Sequence, residues 1–336
     1  MLATIVIGRN EAASLAEALA SAQGADAPVV YVDSASSDDS VAVARKAGIE
    51  VLSLSSPPML SAARGRNAGL EWLDARHPET DFVQFLDGDC VLCSDFPGIA
   101  ANLMLGDPDI AIVVGHLREQ APGSSIYSKL SMLEWSSDVG EIRDFGNLGG
   151  IMCARVSALR VVGGFNAEMI AGEDSELGVR ISLAGFRVVK IDAEMATHDN
   201  GIRHFGAWWR RSVRAGHALA QRFALNGRSA VRDCRREFFS TLFWGIVLPA
   251  GALILAWPSR GASLLVCTAG YLVLALRIRR SLLRGGRTRA EANIGMGFGL
   301  LSKLANAVGL CRYLWNARTG GFRIIEYKGA AVRPRR

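Results

Sequence analysis

The first hundred residues alternate between short apolar runs and amphipathic stretches. Residues 2–7 are rich in β-branched side chains and lead into Gly8-Arg9-Asn10-Glu11. Over 11–22, Leu15, Ala18, Leu19 and Ala22 recur at helix spacing. Residues 29–32 read as a second strand and 41–47 as a helix capped by Ser37 or Asp38. Residues 51–54 read as a third strand and 64–73 as another helix. Residues 81–90, DFVQFLDGDC, then run apolar into Asp87-Gly88-Asp89. Strand and helix in this alternation predict a parallel sheet with crossover helices. Further on, strands are expected over 110–115, 149–153 and 187–191. A helix is expected over 127–142, with Leu130, Leu133 and Val139 partly on one face, and another opens at Gly172-Glu173-Asp174-Ser175-Glu176.

The pattern changes after Trp208. Trp208-Trp209-Arg210-Arg211 with Arg214 suits a helix at a headgroup interface. Residues 238–257 carry no charge over 20 residues, about 30 Å as a helix, which is enough to cross a bilayer core. Pro249 is tolerated in such a helix. A turn at 258–261 precedes a second apolar run, 262–276, which ends at Arg277, Arg279, Arg280 and Arg284. Basic residues on the flanks and few in the turn place both termini in the cytoplasm by the positive-inside rule. Residues 294–310 are apolar but glycine-rich and interrupted by Lys303 and Asn306, so an interfacial or re-entrant helix is expected. The resulting division is 1–205 as one α/β domain (halves 1–100 and 101–205), 206–236 as interfacial helices, 237–280 as two transmembrane helices, and 281–336 as a basic cytoplasmic tail with an interfacial helix.

Composition sharpens this picture. The chain of 336 residues is 50% hydrophobic, with a mean hydropathy of +0.20, and the excess lies in the last third. The net charge of +6 is concentrated in late arginines, which suits an anionic membrane face better than DNA. No zinc-finger spacing or basic helix with interleaved aromatics supports nucleic-acid binding. Six cysteines are scattered, and the pair Cys90 and Cys93 has no second pair to complete a zinc site, so reduced structural thiols are expected. The start MLATIVIGRNE has no charged n-region and reads as a strand rather than a signal peptide.

The chemistry centres on Asp87 and Asp89. At a strand's C-terminal end, with glycine between them, two carboxylates can converge on one hard cation and its phosphate ligands. No G-x-G-x-x-G follows the first strand and no P-loop is present, so phosphates would be held by a metal and arginines. Glu173, Asp174 and Glu176 put three acids into four residues at a helix start, more than capping alone requires.

These motifs, in order IVIGRNEA, VDSASSD, SAARGRNAGL, DGD, GGF at 163–165, GEDSELGVR at 172–180 and then His198, resemble family 2 glycosyltransferases of the GT-A fold over roughly residues 1–205. The apolar hairpin and the stretch Ile324-Ile325-Glu326-Tyr327-Lys328 are similar to bacterial exopolysaccharide glycosyltransferases. The resemblance implies a mixed, mostly parallel sheet flanked by helices and a metal-dependent inverting transfer. Asp87 and Asp89 match the DxD motif that holds Mn2+ or Mg2+ against the donor diphosphate, with Asp89 the direct ligand and His198 a further metal or phosphate ligand. Asp33 matches the base-contacting acid, and Asn10 and Glu11 match the nucleotide-binding loop. Arg64 or Arg66 pairs with the diphosphate. Asp174 matches the general base, and Glu173 and Glu176 orient it or bind the acceptor, with Arg180 neutralising these acids. Gly8 stands where the family often has proline, and a backbone adjustment is expected there.

The expected partners are a nucleotide-sugar donor, a UDP-sugar foremost, a lipid-linked glycan acceptor and membrane lipid. The expected setting is a bacterial inner membrane with the catalytic domain in the cytoplasm. A processive polysaccharide synthase is a rival, but two strong spans are few for a channel and no Q-x-x-R-W follows the acidic motif. A non-catalytic membrane scaffold with a transferase-like domain is another, opposed by the presence of Asp33, Asp87, Asp89 and Asp174 together.

Overall fold

The computed structural model describes residues 1–24, 27–56, 59–121, 123–135 and 137–326. Two compact units divide the chain. One comprises Met1–Ala121 with Trp135–Asn200; the other comprises Pro122–Glu134 with Gly201–Arg336.

The first unit begins β1 (Leu2–Gly8), α1 (Leu15–Ala22), β2 (Val29–Asp33), α2 (Ser40–Lys46), β3 (Glu50–Ser53), α3 (Ala62–Arg76), β4 (Phe82–Asp87), β5 (Cys90–Leu92), α4 (Phe96–Gly106) and β6 (Ile110–Glu119). After α5 (Ile126–Trp135) come β7 (Gly140–Glu141), β8 (Met152–Arg155), α6 (Val156–Val162), α7 (Glu173–Leu183) and β9 (Arg187–His198). The strand order is β3-β2-β1-β4-β8-β6-β9-β5, with β7 on β9. β3, β2, β1 and β4 are parallel neighbours, as the early pattern predicts. β8 runs against both β4 and β6, β6 and β9 are parallel, and β5 and β7 run against β9. The apolar runs of β1, β4 and β6 are buried nearly throughout, as a sheet covered on both faces requires.

β4 ends at Asp87, where the sequence pattern puts the strand's end, and the Gly88 amide donates to the Ile7 carbonyl at 2.8 Å before β5. Two departures from the sequence pattern have local causes. The helix expected over 127–142 stops at Trp135; Gly140, at φ +124°, leads into β7 instead. β9 continues past Ile191 through Asp192 and Glu194 because β6 matches those acids. His116 Nε2 lies 2.9 Å from Asp192 Oδ1, and Arg118 pairs with Glu194. The extra length carries His198 to the strand's end.

The second unit holds most of α5 and then α8 (Phe205–Asn226), α9 (Arg235–Leu242), a π-helical turn at Phe243–Val247, α10 (Leu248–Ile254), α11 (Ala262–Arg284) and α12 (Arg289–Thr319). Leu130, Ile202, Ala207 and Trp208 form a buried cluster, with Tyr127, Trp209 and Phe298 packed against it. Arg235–Ile254, Ala262–Arg284 and Arg289–Thr319 are each long and apolar enough to cross a membrane. The π turn follows from Pro249, which has no N–H to continue the α ladder. The Tyr271 hydroxyl of α11 donates to the Trp244 carbonyl in that turn, the kind of rescue an apolar setting demands. Residues 294–310 lie within one unbroken helix that runs through Lys303 and Asn306 from a capping box at Thr288 and Glu291.

His217 on α8 is fully buried, its ring edge-on to Tyr313 and Phe322, with the Asn316 amide 3.4 Å from Nε2. Burial, aided by Arg312, pulls its pKa down to about 4. The folded chain therefore keeps this imidazole neutral down to about pH 4, while the unfolded chain protonates it near 6.5. The associated stability is present above pH 6.5 and is lost as pH falls toward 4, by at most about 3 kcal/mol. Thermal midpoints from pH 7.5 to 4.5 should fall more steeply for the wild type than for His217→Gln. Parallel curves would contradict this.

Candidate active site

Strand polarity brings the candidate residues to one edge of the sheet. Asp33 ends β2, Asp87 ends β4, Glu119 ends β6 and His198 ends β9, all strands running the same way. The carboxyl ends of parallel strands are where open α/β sheets place ligands.

At the β2 end, Asp33 is only 2% exposed, and both its oxygens are engaged. Oδ1 accepts from the Tyr31 hydroxyl at 3.2 Å and Oδ2 from the Ser36 amide at 2.9 Å. Tyr31 also explains Gly8, since a Cβ there would lie 3.0 Å from the Tyr31 hydroxyl. The β1–α1 loop is latched onto the β2–α2 loop. Asn10, in the left-handed region at φ 59°, accepts the Ser37 amide on Oδ1 at 2.7 Å and donates its own amide to Ser36 Oγ at 2.9 Å. The Glu11 amide donates to Ser40 Oγ at 3.0 Å, and the Ala12 amide to Asp38 Oδ2 at 3.0 Å. Asn10 and Asp33 thus shape two touching loops, which a direct-contact reading of the sequence does not anticipate.

At the centre, α3 delivers Arg66 into the core with 2% exposure. Its Nη2 lies 2.8 Å from Asp87 Oδ1 and its Nη1 lies 2.7 Å from Glu173 Oε1. Burial works against its charge, but Asp87, Glu173 and Asp174 outweigh burial and hold its pKa above the ordinary arginine value. Gly150 permits this placement, since a Cβ there would lie 2.1 Å from Nη2. Arg66 therefore meets carboxylates rather than offering its fork to a diphosphate. Arg64 sits two residues earlier on α3, with Nη1 donating to the Ser55 carbonyl at 2.7 Å.

α7 presents the three acids differently. Glu173 is buried on Arg66, and Glu176, 3% exposed, takes Arg180 on both oxygens at 2.8–2.9 Å. Arg180 also donates to the Val162 carbonyl at 2.6 Å. Acceptor contact by Glu173 or Glu176 does not fit this burial; the two acids anchor the helix start. Asp174, between them, is half-buried at the first turn.

The third group is Asp89, Cys90 and His198, whose candidate ligand atoms lie within 4.8 Å of one another. Asp89 Oδ2 is 3.3 Å from His198 Nε2, and the Cys90 thiol donates to Asp89 Oδ1 at 3.4 Å. Cys90 and His198 are register partners across β5 and β9, and the Trp135 ring lies 5.2 Å from the His198 ring. A carboxylate and an imidazole suit Mn2+ or Mg2+ with phosphate oxygens completing the shell. Burial pushes the Cys90 thiol well up, with Asp87 and Glu11 adding to it, so it stays protonated beside this pair. Asp87, expected beside Asp89 at the metal, is turned to Arg66 with its side chain 36% exposed. Cys90 was read only as a structural thiol of the Cys90 and Cys93 pair, and Trp135 was not singled out; the one signal for Cys90 at this site was its place directly after the acid. Glu119, 4% exposed and paired in register with His198, was equally silent. Burial and Asp199 raise its pKa against the opposing effect of His198.

Removing the Arg66 charge leaves two carboxylates facing each other without their cation. Arg66→Met should destabilise the first unit by about 3–5 kcal/mol, read as a lower thermal midpoint. Gly150→Ala should lower it in the same direction by less. An unchanged midpoint for Arg66→Met would show the bridge to be dispensable.

Comparison with known proteins bears on the family and the fold. The pre-mycofactocin glycosyltransferase of Mycobacterium tuberculosis is 31% identical over 215 residues, 59% of this chain and 42% of the relative's length. The match thus spans less than half of that relative. The structure of mannosyltransferase PcManGT from Pyrobaculum calidifontis, in complex with GDP-Man and Mn2+, superposes with a TM-score of 0.62 at 19% identity, covering 94% of this chain and 87% of that one. That likeness is one of fold, and the fold is GT-A. The model for glycosyl transferase family group 2 matches residues 82–278, more than half of the sequence. The chain belongs to glycosyl transferase family group 2.

Proposed function

We propose that this protein is a metal-dependent inverting glycosyltransferase that moves a sugar from a nucleotide-sugar donor to a lipid-linked glycan. The observation that carries the reading is the sharing of one buried guanidinium by Asp87 of the DGD turn and Glu173 of the α7 start. It brings a donor-side acid and the neighbourhood of Asp174 to the same point.

The nucleotide lies against the latched loops of Asn10–Glu11 and 34–38. Asp33 fixes their shape through Tyr31 and Ser36 rather than meeting the base with a free oxygen. Asp89 and His198 would hold Mn2+ or Mg2+ at the donor diphosphate, while Asp87 is turned to Arg66. When bound, such an ion neutralises charge building on the leaving diphosphate. The mannosyltransferase of the same fold, solved with GDP-Man and Mn2+, supports this donor chemistry, although a UDP-sugar remains the donor favoured by the sequence reading.

Asp174 takes the proton of the acceptor hydroxyl as that oxygen attacks the anomeric carbon. Glu173 and Glu176 position it by fixing the first turn of α7 on Arg66 and Arg180. The apolar helices after Arg235 tether the site to a membrane, which raises the effective concentration of a lipid-linked acceptor. A bacterial inner membrane, with the catalytic unit on the cytoplasmic side, and an envelope or exopolysaccharide pathway fit this arrangement.

The test uses radiolabelled UDP- and GDP-sugars, divalent metal, and an organic extract of bacterial membranes as acceptor pool. Label should enter the organic phase with the wild type. Asp174→Asn should slow this about 100- to 10,000-fold while nucleotide binding is kept. Equal transfer by the variant, or no transfer from any donor, would overturn the assignment.

A further inference from the structure

Length and composition mark α12 as able to cross a membrane, but its neighbours within the second unit do not suit a crossing helix. From Phe298 onward it packs along α8 with the contacts advancing in the same direction on both helices. Trp208 meets Phe298, Gly216 meets Asn306, and His217 meets Tyr313. The approach is close: a Cβ at Gly216 would lie 2.2 Å from the Asn306 carbonyl oxygen, and one at Gly309 2.0 Å from that of Val213. The two helices share one path over this length. α8 carries Arg210, Arg211, Arg214 and Arg222, and a helix with four arginines does not lie in a hydrocarbon core. Arg211 donates to Glu134 at 2.6 Å, and Arg222 pairs with Asp233 at 2.6 Å.

The N-terminal half of α12 gives the same level. Gly295 abuts Leu282 and Gly299 abuts Ile278, which alternate with Arg277, Arg279, Arg280 and Arg284 at the charged end of α11. Arg279 Nε donates to Asn293 Oδ1 at 2.9 Å. Further along, Lys303 Nζ donates to Ser240 Oγ at 3.1 Å, five residues past Arg235 where the first candidate span starts. Residues 293–303 of α12 therefore meet the arginine-bearing end of α11 and the start of the first candidate span, while Lys303 and Ala307 also abut Gly245 in its π turn. One stripe stays open: Leu301 at 39% exposed, Leu304 at 40%, Val308 at 50% and Trp315 at 69%. An apolar stripe ending in tryptophan, with Arg312 beside it, matches a helix lying in a headgroup interface.

We infer that α12 is not a third span: it lies in the bilayer interface beside α8, its Leu301–Leu304–Val308–Trp315 stripe turned to lipid. The chain crosses the membrane twice, through Arg235–Ile254 and Ala262–Arg284, and the C-terminal end of α12 is on the same side as the catalytic unit.

Single cysteines test this in the full-length protein, in sealed right-side-out and inverted membrane vesicles. The positions are Glu17→Cys on α1, Pro258→Cys in the turn between α10 and α11, and Ala317→Cys near the end of α12, all exposed. An impermeant maleimide is applied to each preparation and the modified peptide is read by mass. Ala317→Cys should label from the same face as Glu17→Cys and lose that labelling from the face that reaches Pro258→Cys. Labelling of Ala317→Cys together with Pro258→Cys would make α12 a span and overturn the inference. Labelling of all three from one face would overturn it too, since no hairpin would then cross.

Discussion

The catalytic unit depends on where the charge of Arg66 can be kept. A guanidinium cannot lose its proton at physiological pH, so burying it demands carboxylates close by. The chain supplies Asp87 from the end of β4 and Glu173 from the first turn of α7, two segments far apart in sequence. Gly150 keeps the space open. The bridge adds little net stability over an apolar core, since desolvation offsets much of the attraction. Its effect is positional: the strand that ends in the acidic turn and the helix that starts with Asp174 are fixed to one another.

The rest of the edge follows from that constraint. With Asp87 committed to Arg66, Asp89 swings to the other side of the Gly88 turn and meets His198, delivered by the long β9. The pairing of β9 with β5 sets Cys90 beside them, while burial keeps its thiol protonated. Glu176 pairs with Arg180, and Asp174 is the half-buried acid of its group. The two acids of the DGD turn thus divide the work, one facing an internal cation and one facing the candidate metal position.

Much of this was legible in the residues. The alternating apolar runs gave β1 to β4 and their parallel order, because hydrophobic periodicity and crossover topology are local or nearly local properties. The antiparallel β8 between β4 and β6 was not legible, since pairing across seventy residues leaves no mark in spacing. Asp89 and His198 were expected at one metal, and the fold sets them 3.3 Å apart. Arg64 or Arg66 was expected at a diphosphate, and Arg66 is an internal counter-ion; no sequence pattern distinguishes a buried guanidinium from one at a pocket wall. Tyr31 was invisible for a related reason: a tyrosine in an apolar strand reads as core, and its bond to Asp33 requires Gly8 opposite it. The 294–310 stretch was ambiguous because hydropathy does not report neighbours, and the arginines of α8 are ninety residues earlier.

The most direct measurement is a thermal-shift panel on the detergent-purified protein with UDP, GDP, dTDP and CMP, each with and without Mn2+, on wild type and Asp89→Ala. A ligand that binds only the folded state raises the midpoint by mass action, about 2.7 kcal/mol at a hundredfold excess over Kd. One nucleotide should stabilise the wild type with Mn2+ present, and that metal-dependent shift should vanish in Asp89→Ala although the variant remains folded. A nucleotide shift that is the same without metal, or that survives in Asp89→Ala, would contradict the assignment of Asp89 and His198 to a metal-held diphosphate.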